Sequence, residues 1–225
     1  MHKIVIVGGG AGGLELATKL GDSLGKKKKA EIFLIDAKKT HVWKPLLHEI
    51  AAGSLNPDKD QLDYLAQAHW HHFKFRLGRM DGLDRTKKEI TLEPFLDNDG
   101  SEIIPRRSFN YDTLILSIGS TINDFGIKGA ADYTIALDTL NQAERFHSKL
   151  HKAILKAQTQ SKPLMEGQLE VVIVGAGATG VELSAELHKA TREMAAYGLD
   201  NINPDRDIKI HLIEASPKLL PALPE

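Results

Sequence analysis

Lys3-Ile4-Val5-Ile6-Val7 runs directly into Gly8-Gly9-Gly10-Ala11-Gly12-Gly13, after which Leu14, Ala17, Leu20 and Leu24 recur at helical spacing. An apolar, mostly β-branched run, a glycine turn and a periodic apolar stripe predict strand, turn and helix in immediate succession. That is the opening of a dinucleotide-binding βαβ unit. The glycines have separate tasks. Gly8 permits the tight turn, Gly10 lets a pyrophosphate approach a backbone without a Cβ, and Gly13 lets the helix lie close on the strand. Free N–H groups at the helix start then face the phosphates. Glu31-Ile32-Phe33-Leu34-Ile35 predicts the second strand, and Asp36 closes it 23 residues beyond Gly13. That spacing is close to the ~20 residues at which an acid accepts hydrogen bonds from an adenosine ribose.

The motif occurs twice. Val172-Ile173-Val174-Gly175-Ala176-Gly177-Ala178-Thr179-Gly180-Val181-Glu182-Leu183 falls on Val5 to Leu16 after a shift of 167 positions, with nine of the twelve residues identical and Glu182 on Glu15. Two glycine fingerprints, each on a strand–helix junction, imply two dinucleotide sites on two related domains. The second helix carries its own apolar face in Leu183, Leu187, Ala190 and Met194. Ile208-Lys209-Ile210-His211-Leu212-Ile213 is the next strand, and Glu214 ends it as Asp36 ends the first. Glu214 lies 34 residues beyond Gly180, and a loop insertion over 195–207 is expected to absorb the excess. A carboxylate at that strand end suits a ribose 2′-OH and repels a 2′-phosphate, so the second site is expected to prefer NADH to NADPH.

Composition narrows the class. The 225 residues suffice for two modest domains, and the net charge of −1 does not suggest nucleic acid as a partner. No cysteine is present, which excludes disulfides, thiolate metal sites and a cysteine redox centre within the chain. The first strand starts at once, so no signal peptide is expected, and no apolar stretch approaches a membrane span.

Between the motifs, Lys26-Lys27-Lys28-Lys29 reads as a solvated helix end rather than a lipid patch. Pro45 biases Lys44 towards extended backbone, with a short helix expected from Leu46 to Ala52 and another from Asp58 to His69. His69-Trp70-His71-His72 has no carboxylate or cysteine at ligand spacing. His147 and His151 lack the flanking residues of a zinc helix, so no metal is expected. Residues 73–79, 89–92 and 102–104 predict short strands, the last two joined by a turn at Asn98-Asp99-Gly100, as a small antiparallel excursion. Tyr111 to Ser120 predicts a buried strand that ends near Gly119, where backbone and ligand can approach closely. Asp138 is the expected N-cap of a long helix bearing Leu140, Ala143, Phe146, Leu150, Ile154 and Ala157 on one face. The fold class is therefore α/β with two Rossmann-like domains, over 1–121 and 122–225.

These residues resemble the N-terminal part of a bacterial type II NADH dehydrogenase, the non-proton-pumping NADH:quinone oxidoreductase. The stretch His41-Val42-Trp43-Lys44-Pro45-Leu46-Leu47-His48-Glu49 is the most specific part of the likeness; Gly175 to Leu187 and Leu219 to Pro224 share in it. The resemblance implies FAD in the first domain, at Gly8, Gly10, Gly12, Gly13 and Asp36, with Lys44 and Pro45 beside the isoalloxazine and Met80 and Gly119 along the cofactor. It implies NADH in the second, at Gly175, Gly177, Gly180 and Glu214, with Glu182 near the nicotinamide–flavin contact. Glu182 and Lys44 are its catalytic candidates, although Glu15 in the first copy shows that the glutamate alone does not imply chemistry. The implied reaction passes a hydride from NADH to FAD and two electrons on to a quinone.

The resemblance further implies a peripheral enzyme on the cytoplasmic side of the inner membrane, with a homodimer allowed. The family's quinone contacts, membrane helices and returning FAD segment lie beyond Glu225. The chain is thus expected to be C-terminally truncated, a soluble and inactive fragment. A ferredoxin- or rubredoxin-type reductase is the alternative enzyme, and a non-catalytic nucleotide-binding module the alternative outside catalysis.

Overall fold

The computed structural model describes residues 1–97 and 99–220. In chain order the elements are β1 (His2–Val7), α1 (Ala11–Leu20), β2 (Ala30–Asp36), β3 (Thr40–His41), α2 (Leu47–Ala52), α3 (Pro57–Asp60), β4 (Leu62–Asp63), α4 (Tyr64–Trp70) and β5 (Lys74–Leu77). There follow β6 (Met80–Asp84), β7 (Glu89–Leu92), β8 (Phe95–Leu96), β9 (Glu102–Ile104), β10 (Arg107–Asn110), β11 (Thr113–Leu116) and α5 (Ala130–Tyr133). The chain continues through α6 (Leu140–Thr159), β12 (Glu170–Val174), α7 (Ala178–Ala196), α8 (Pro204–Asp207) and β13 (Lys209–Ile213). The chain divides into two compact units, one of residues 1–43 and 61–121, the other of 44–60 and 122–225.

The first unit is built on a parallel sheet in the order β11-β1-β2-β5. Strands buried on both faces read as continuous apolar runs, which is why β1 and β2 show no alternation. Ile4, Ile6, Ile32, Leu34 and Phe75 pack with Leu14, Ala17, Tyr64 and Ala68 of the helices. Val5, Val7 and Ile35 turn the other way and pack with Ile90 and Leu92 of the antiparallel sheet β10-β7-β6. An antiparallel excursion is present, but not with the expected members: the strand expected at 73–79 is β5 of the main parallel sheet, the strand at 89–92 pairs with β6 and β10, and that at 102–104 pairs with β8 in a separate hairpin. The β8–β9 hairpin turns through Asp99 and Gly100, the latter at φ +85°; Asn98 of the expected turn lies outside the described residues.

Several local expectations give way to tertiary structure. The first helix continues past Leu20 as one π turn, Gly21–Gly25, because Gly21 and Gly25 lie against the backbone of His71 and His72. A Cβ at Gly21 would stand 1.9 Å from the His71 carbonyl oxygen. The single helix expected from Asp58 to His69 is broken: Leu62 and Asp63 pair with β3, and the Asp63 carboxylate then caps α4 by accepting from Ala66 N–H. Its buried face is Tyr64 and Ala68.

The second unit repeats the start of the first. β12 and β13 pair in parallel, Val171 opposite Ile210 and Val174 opposite Ile213, as Ile4 pairs Ile32 and Val7 pairs Ile35. The excess residues before Glu214 are not simply a loop, since α7 runs on to Ala196 and α8 occupies 204–207. Ile154, Ala157, Leu169, Ile202 and Ile208 form a core with α6. The N-cap of α6 is Thr139, not Asp138. Thr139 accepts from Gln142 N–H while the Gln142 side chain accepts from the Thr139 N–H, a complete capping box that takes the role expected of Asp138. Among the described residues no helix is long and apolar enough to cross a membrane.

Candidate functional site

Two glycine loops follow β1 and β12, and their bonding coincides. Gly8 N–H donates to Ile35 carbonyl at 2.8 Å, and Gly175 N–H to Ile213 carbonyl at 2.8 Å. Both glycines have positive φ, +101° and +104°, a conformation that L side chains rarely adopt. A Cβ on Gly13 would stand 1.8 Å from Gly8 oxygen, and one on Gly180 2.0 Å from Gly175 oxygen, so each helix touches its turn only because a glycine is there. At Gly10 and Gly177 a Cβ would meet nothing within 4 Å. These two are the open sides of the loops. Neither α1 nor α7 has a side-chain cap, so the first N–H groups of both helices are free for an anion.

The acids are held alike too. Asp36 accepts from Gly9 N–H at 2.7 Å and Lys38 N–H at 2.8 Å. Glu214 accepts from Ala176 N–H at 2.7 Å and Ser216 N–H at 2.8 Å. The N–H groups of Ser216 and Ala176 hold the Glu214 carboxyl below its ordinary range. A carboxylate has about four acceptor sites. Each acid is therefore fixed in place with acceptor capacity to spare for a ribose. The open glycine, the uncapped helix and the anchored acid fit a dinucleotide in both copies.

The copies differ in what supports the loop. In the first, Tyr64 Oη donates to Gly9 carbonyl at 2.6 Å, and its ring fills the space that a Cβ on Gly9 would need. Burial, followed by the charge of Asp36, pushes the Tyr64 phenol up, so it remains a donor. His41 is buried beside Tyr64, and burial lowers its pKa against the opposing effects of Asp36 and the Gly9 backbone. In the second copy the carbonyl of Ala176 accepts instead from Leu220 N–H at 2.9 Å. Tyr64 was not legible as a loop support, since nothing near it repeats in the second copy. Gly119 has φ +70° and an open side. Met80 starts β6, half-buried against the Val5–Val7 cluster. Gly12 lies in the first turn of α1 near Ser117.

The stretch 41–49 is divided between the units. His41 belongs to the first, while Lys44 and Pro45 belong to the second and form a 3-10 turn ahead of α2. Lys44 is thus not extended, and its ammonium pairs with Asp138. Pro45 is exposed. On α7, Glu182 lies 3.5 Å from His48 Nδ1 of α2. The histidine run serves the first unit's packing: His71 pairs with Asp22 at 3.0 Å and crowds Gly21. His147 and His151 stack on α6. Among the described residues no group of three or more His, Asp or Glu is placed to hold a metal ion.

Comparison with known proteins follows the same lines. The chain is 43% identical to a type II NADH:quinone oxidoreductase of Haemophilus influenzae over its whole length, and 28% identical to one of Staphylococcus haemolyticus. It covers 53% and 50% of these proteins, so it spans about half the length of the curated relatives it matches. Its fold matches NDH2 from Plasmodium falciparum in complex with NADH at a TM-score of 0.80 and 22% identity, covering all of this chain and 44% of that one. The family model for pyridine nucleotide-disulphide oxidoreductases matches residues 2–225. With two equivalent glycine loops on parallel strands, the chain belongs to the pyridine nucleotide-disulphide oxidoreductase family.

Proposed function

We propose that this chain supplies the FAD and NADH sites of a type II NADH:quinone oxidoreductase, with 1–121 as the FAD domain and 122–225 as the NADH domain. The observation that carries this reading is the doubled loop: Asp36 on Gly9 N–H and Glu214 on Ala176 N–H, with the same bonds and open sides, in a chain 43% identical to such an enzyme. Bound together, the two cofactors supply hydride transfer from NADH to flavin and electron transfer onward to a quinone.

The chain's own residues bind and orient. Gly8, Gly10, Gly12, Gly13 and Asp36 hold the adenosine and pyrophosphate of FAD, with Met80 and Gly119 along it. Gly175, Gly177, Gly180 and Glu214 do the same for NADH. Glu182 faces the nicotinamide end. Lys44 and Pro45 are assigned to the flavin on the family likeness alone; an ammonium beside a flavin would offset negative charge on its reduced ring, and here it pairs with Asp138. A quinone, a membrane surface on the cytoplasmic side and a second copy of the protein are the proposed partners.

The test is spectroscopic and then kinetic. The full-length enzyme containing this chain should carry a flavin band that NADH bleaches under anaerobic conditions, and its reduced form should be reoxidised faster by a short-chain quinone than by ferredoxin, whereas this half alone is expected to be inactive. A flavin that NADH cannot bleach would remove the reading. Faster reoxidation by ferredoxin would favour an electron-transfer reductase.

A further inference from the structure

Glu15 and Glu182 occupy the same position of the two repeats, but their surroundings differ. Glu15 is exposed on α1, with no side-chain partner among the described residues. Glu182 on α7 has His48 before it, Nδ1 to Oε2 3.5 Å, with side-chain exposures of 13% for His48 and 51% for Glu182. The difference comes from α2, which packs on α6 and α7. Leu47, Ile50, Ala51 and Ala52 are its buried anchors. Gly53 ends it at φ +89°, against the ring of His147 from α6.

Those anchors do not require a histidine at position 48. Even so, the imidazole is nearly buried and its Nδ1 has no hydrogen bond among the described residues. A buried polar atom left without a partner is rare and calls for an explanation. The charged groups around it are mostly acidic. Glu49 of its own helix is 4.0 Å from Nε2, and Glu182 faces Nδ1. Glu186, one turn along α7, is paired with Lys189 at 3.6 Å. Glu182 is therefore the carboxylate left for Nδ1 to hold.

We infer that His48 is a positioning residue for Glu182: its unpaired Nδ1, 3.5 Å from Oε2, is the donor placed to set the carboxylate that meets the nicotinamide, and the repeat-matched Glu15 has no such donor beside it. The inference rests on the proposed NADH reading of the second site. A carboxylate held in one rotamer is pre-organised to accept from the nicotinamide carboxamide, whereas a free one must be ordered on binding.

The experiment measures binding of NADH and of ADP-ribose, which has no nicotinamide, to the full chain by calorimetry. The variants are His48→Leu, His48→Asn, His48→Gln and Glu182→Gln, each checked for an unchanged urea midpoint. In His48→Leu the NADH affinity should fall about tenfold while ADP-ribose affinity holds, the loss expected for one hydrogen bond to a charged group. His48→Asn places an amide N–H where Nδ1 stands and should restore most of the loss. His48→Gln mimics Nε2 and should not. In a Glu182→Gln background the His48→Leu change should cost much less.

Equal loss of NADH and ADP-ribose affinity, unchanged NADH affinity in His48→Leu, or rescue by Gln rather than Asn would overturn the positioning role. Absence of ADP-ribose binding to the wild-type chain would instead overturn the dinucleotide reading of Gly175–Glu214, and the inference with it. If His48→Leu does not fold, the Asn and Gln variants still decide.

Discussion

Tyr64→Phe isolates one bond. Tyr64 is 2% exposed, its ring stacks on Phe75 with centroids 5.0 Å apart, and its hydroxyl donates to Gly9 carbonyl at 2.6 Å. Phenylalanine keeps the ring, the stacking and the volume, and removes only the donor. A buried carbonyl left without its partner costs about 1–3 kcal/mol. With a urea slope of about 2 kcal/mol/M, the midpoint should drop by roughly 0.5–1.5 M. Both tryptophans, Trp43 and Trp70, lie in the first unit, so their fluorescence follows this unit's unfolding. Gly9→Ala attacks the same contact from the other side, because its Cβ would stand 2.4 Å from Tyr64 Oη. A Tyr64→Phe midpoint within about 0.2 M of wild type would refute the argument, since the lost hydroxyl would then have carried no net stability.

Three further outcomes are expected. In the full-length enzyme, Gly13→Ala should lose flavin retention while keeping NADH binding, and Gly180→Ala should do the reverse, because each Cβ would overlap the turn oxygen of its own loop; loss of both ligands from either variant would refute the division of sites. The second site should bind NADH more tightly than NADPH. Glu214→Ser should raise NADPH affinity by about tenfold by removing a negative charge near the 2′-phosphate, as read by competitive titration. Burial holds His41 below the ordinary histidine value in the folded chain. As pH falls below that ordinary value, of about 6.5, the unfolded chain takes up a proton that the folded one refuses. Stability should therefore decline from pH ~6.5 until the folded-state value is passed, and His41→Phe should flatten that slope in urea midpoints measured across the range.

What was legible in the sequence is what neighbouring residues encode. β1, α1 and β2 could be read because an apolar run, a glycine turn and a 3.6-residue stripe are local signals, and β12, α7 and β13 because they repeat them. The acids were legible by position, and both proved to be anchored on the second residue of the glycine turn. The misses have long-range causes. Residues 58–69 have helical composition, but β3 captures Leu62 and Asp63 into a strand pair. Asp138 is a good cap by type, yet Thr139 with Gln142 satisfies two N–H groups and leaves the Asp138 carboxylate to Lys44. His48 stood within the quoted stretch, but its meaning depends on α2 lying against α7, a contact across 134 positions between His48 and Glu182 that no periodicity announces.

The second residue of each loop shows how the repeats have parted. Gly9 has no Cβ because the Tyr64 ring occupies that space, and its carbonyl is satisfied by the phenol. Ala176 is fully buried, and its carbonyl is satisfied by the backbone of Leu220. The Gly9–Ala176 mismatch is one of only three in the twelve-residue repeat, and it is the one that marks a different support for the same turn. A side-chain donor on α4 ties the first loop to the packing of the first unit. A backbone donor ties the second to the chain that follows β13. Loosening that later segment should therefore weaken the second loop and leave the first intact. Leu220→Pro, which removes the N–H that Ala176 carbonyl accepts, tests this. It should lower ADP-ribose affinity without moving the tryptophan-monitored unfolding of the first unit, and an unchanged affinity would show that the second turn holds without that bond.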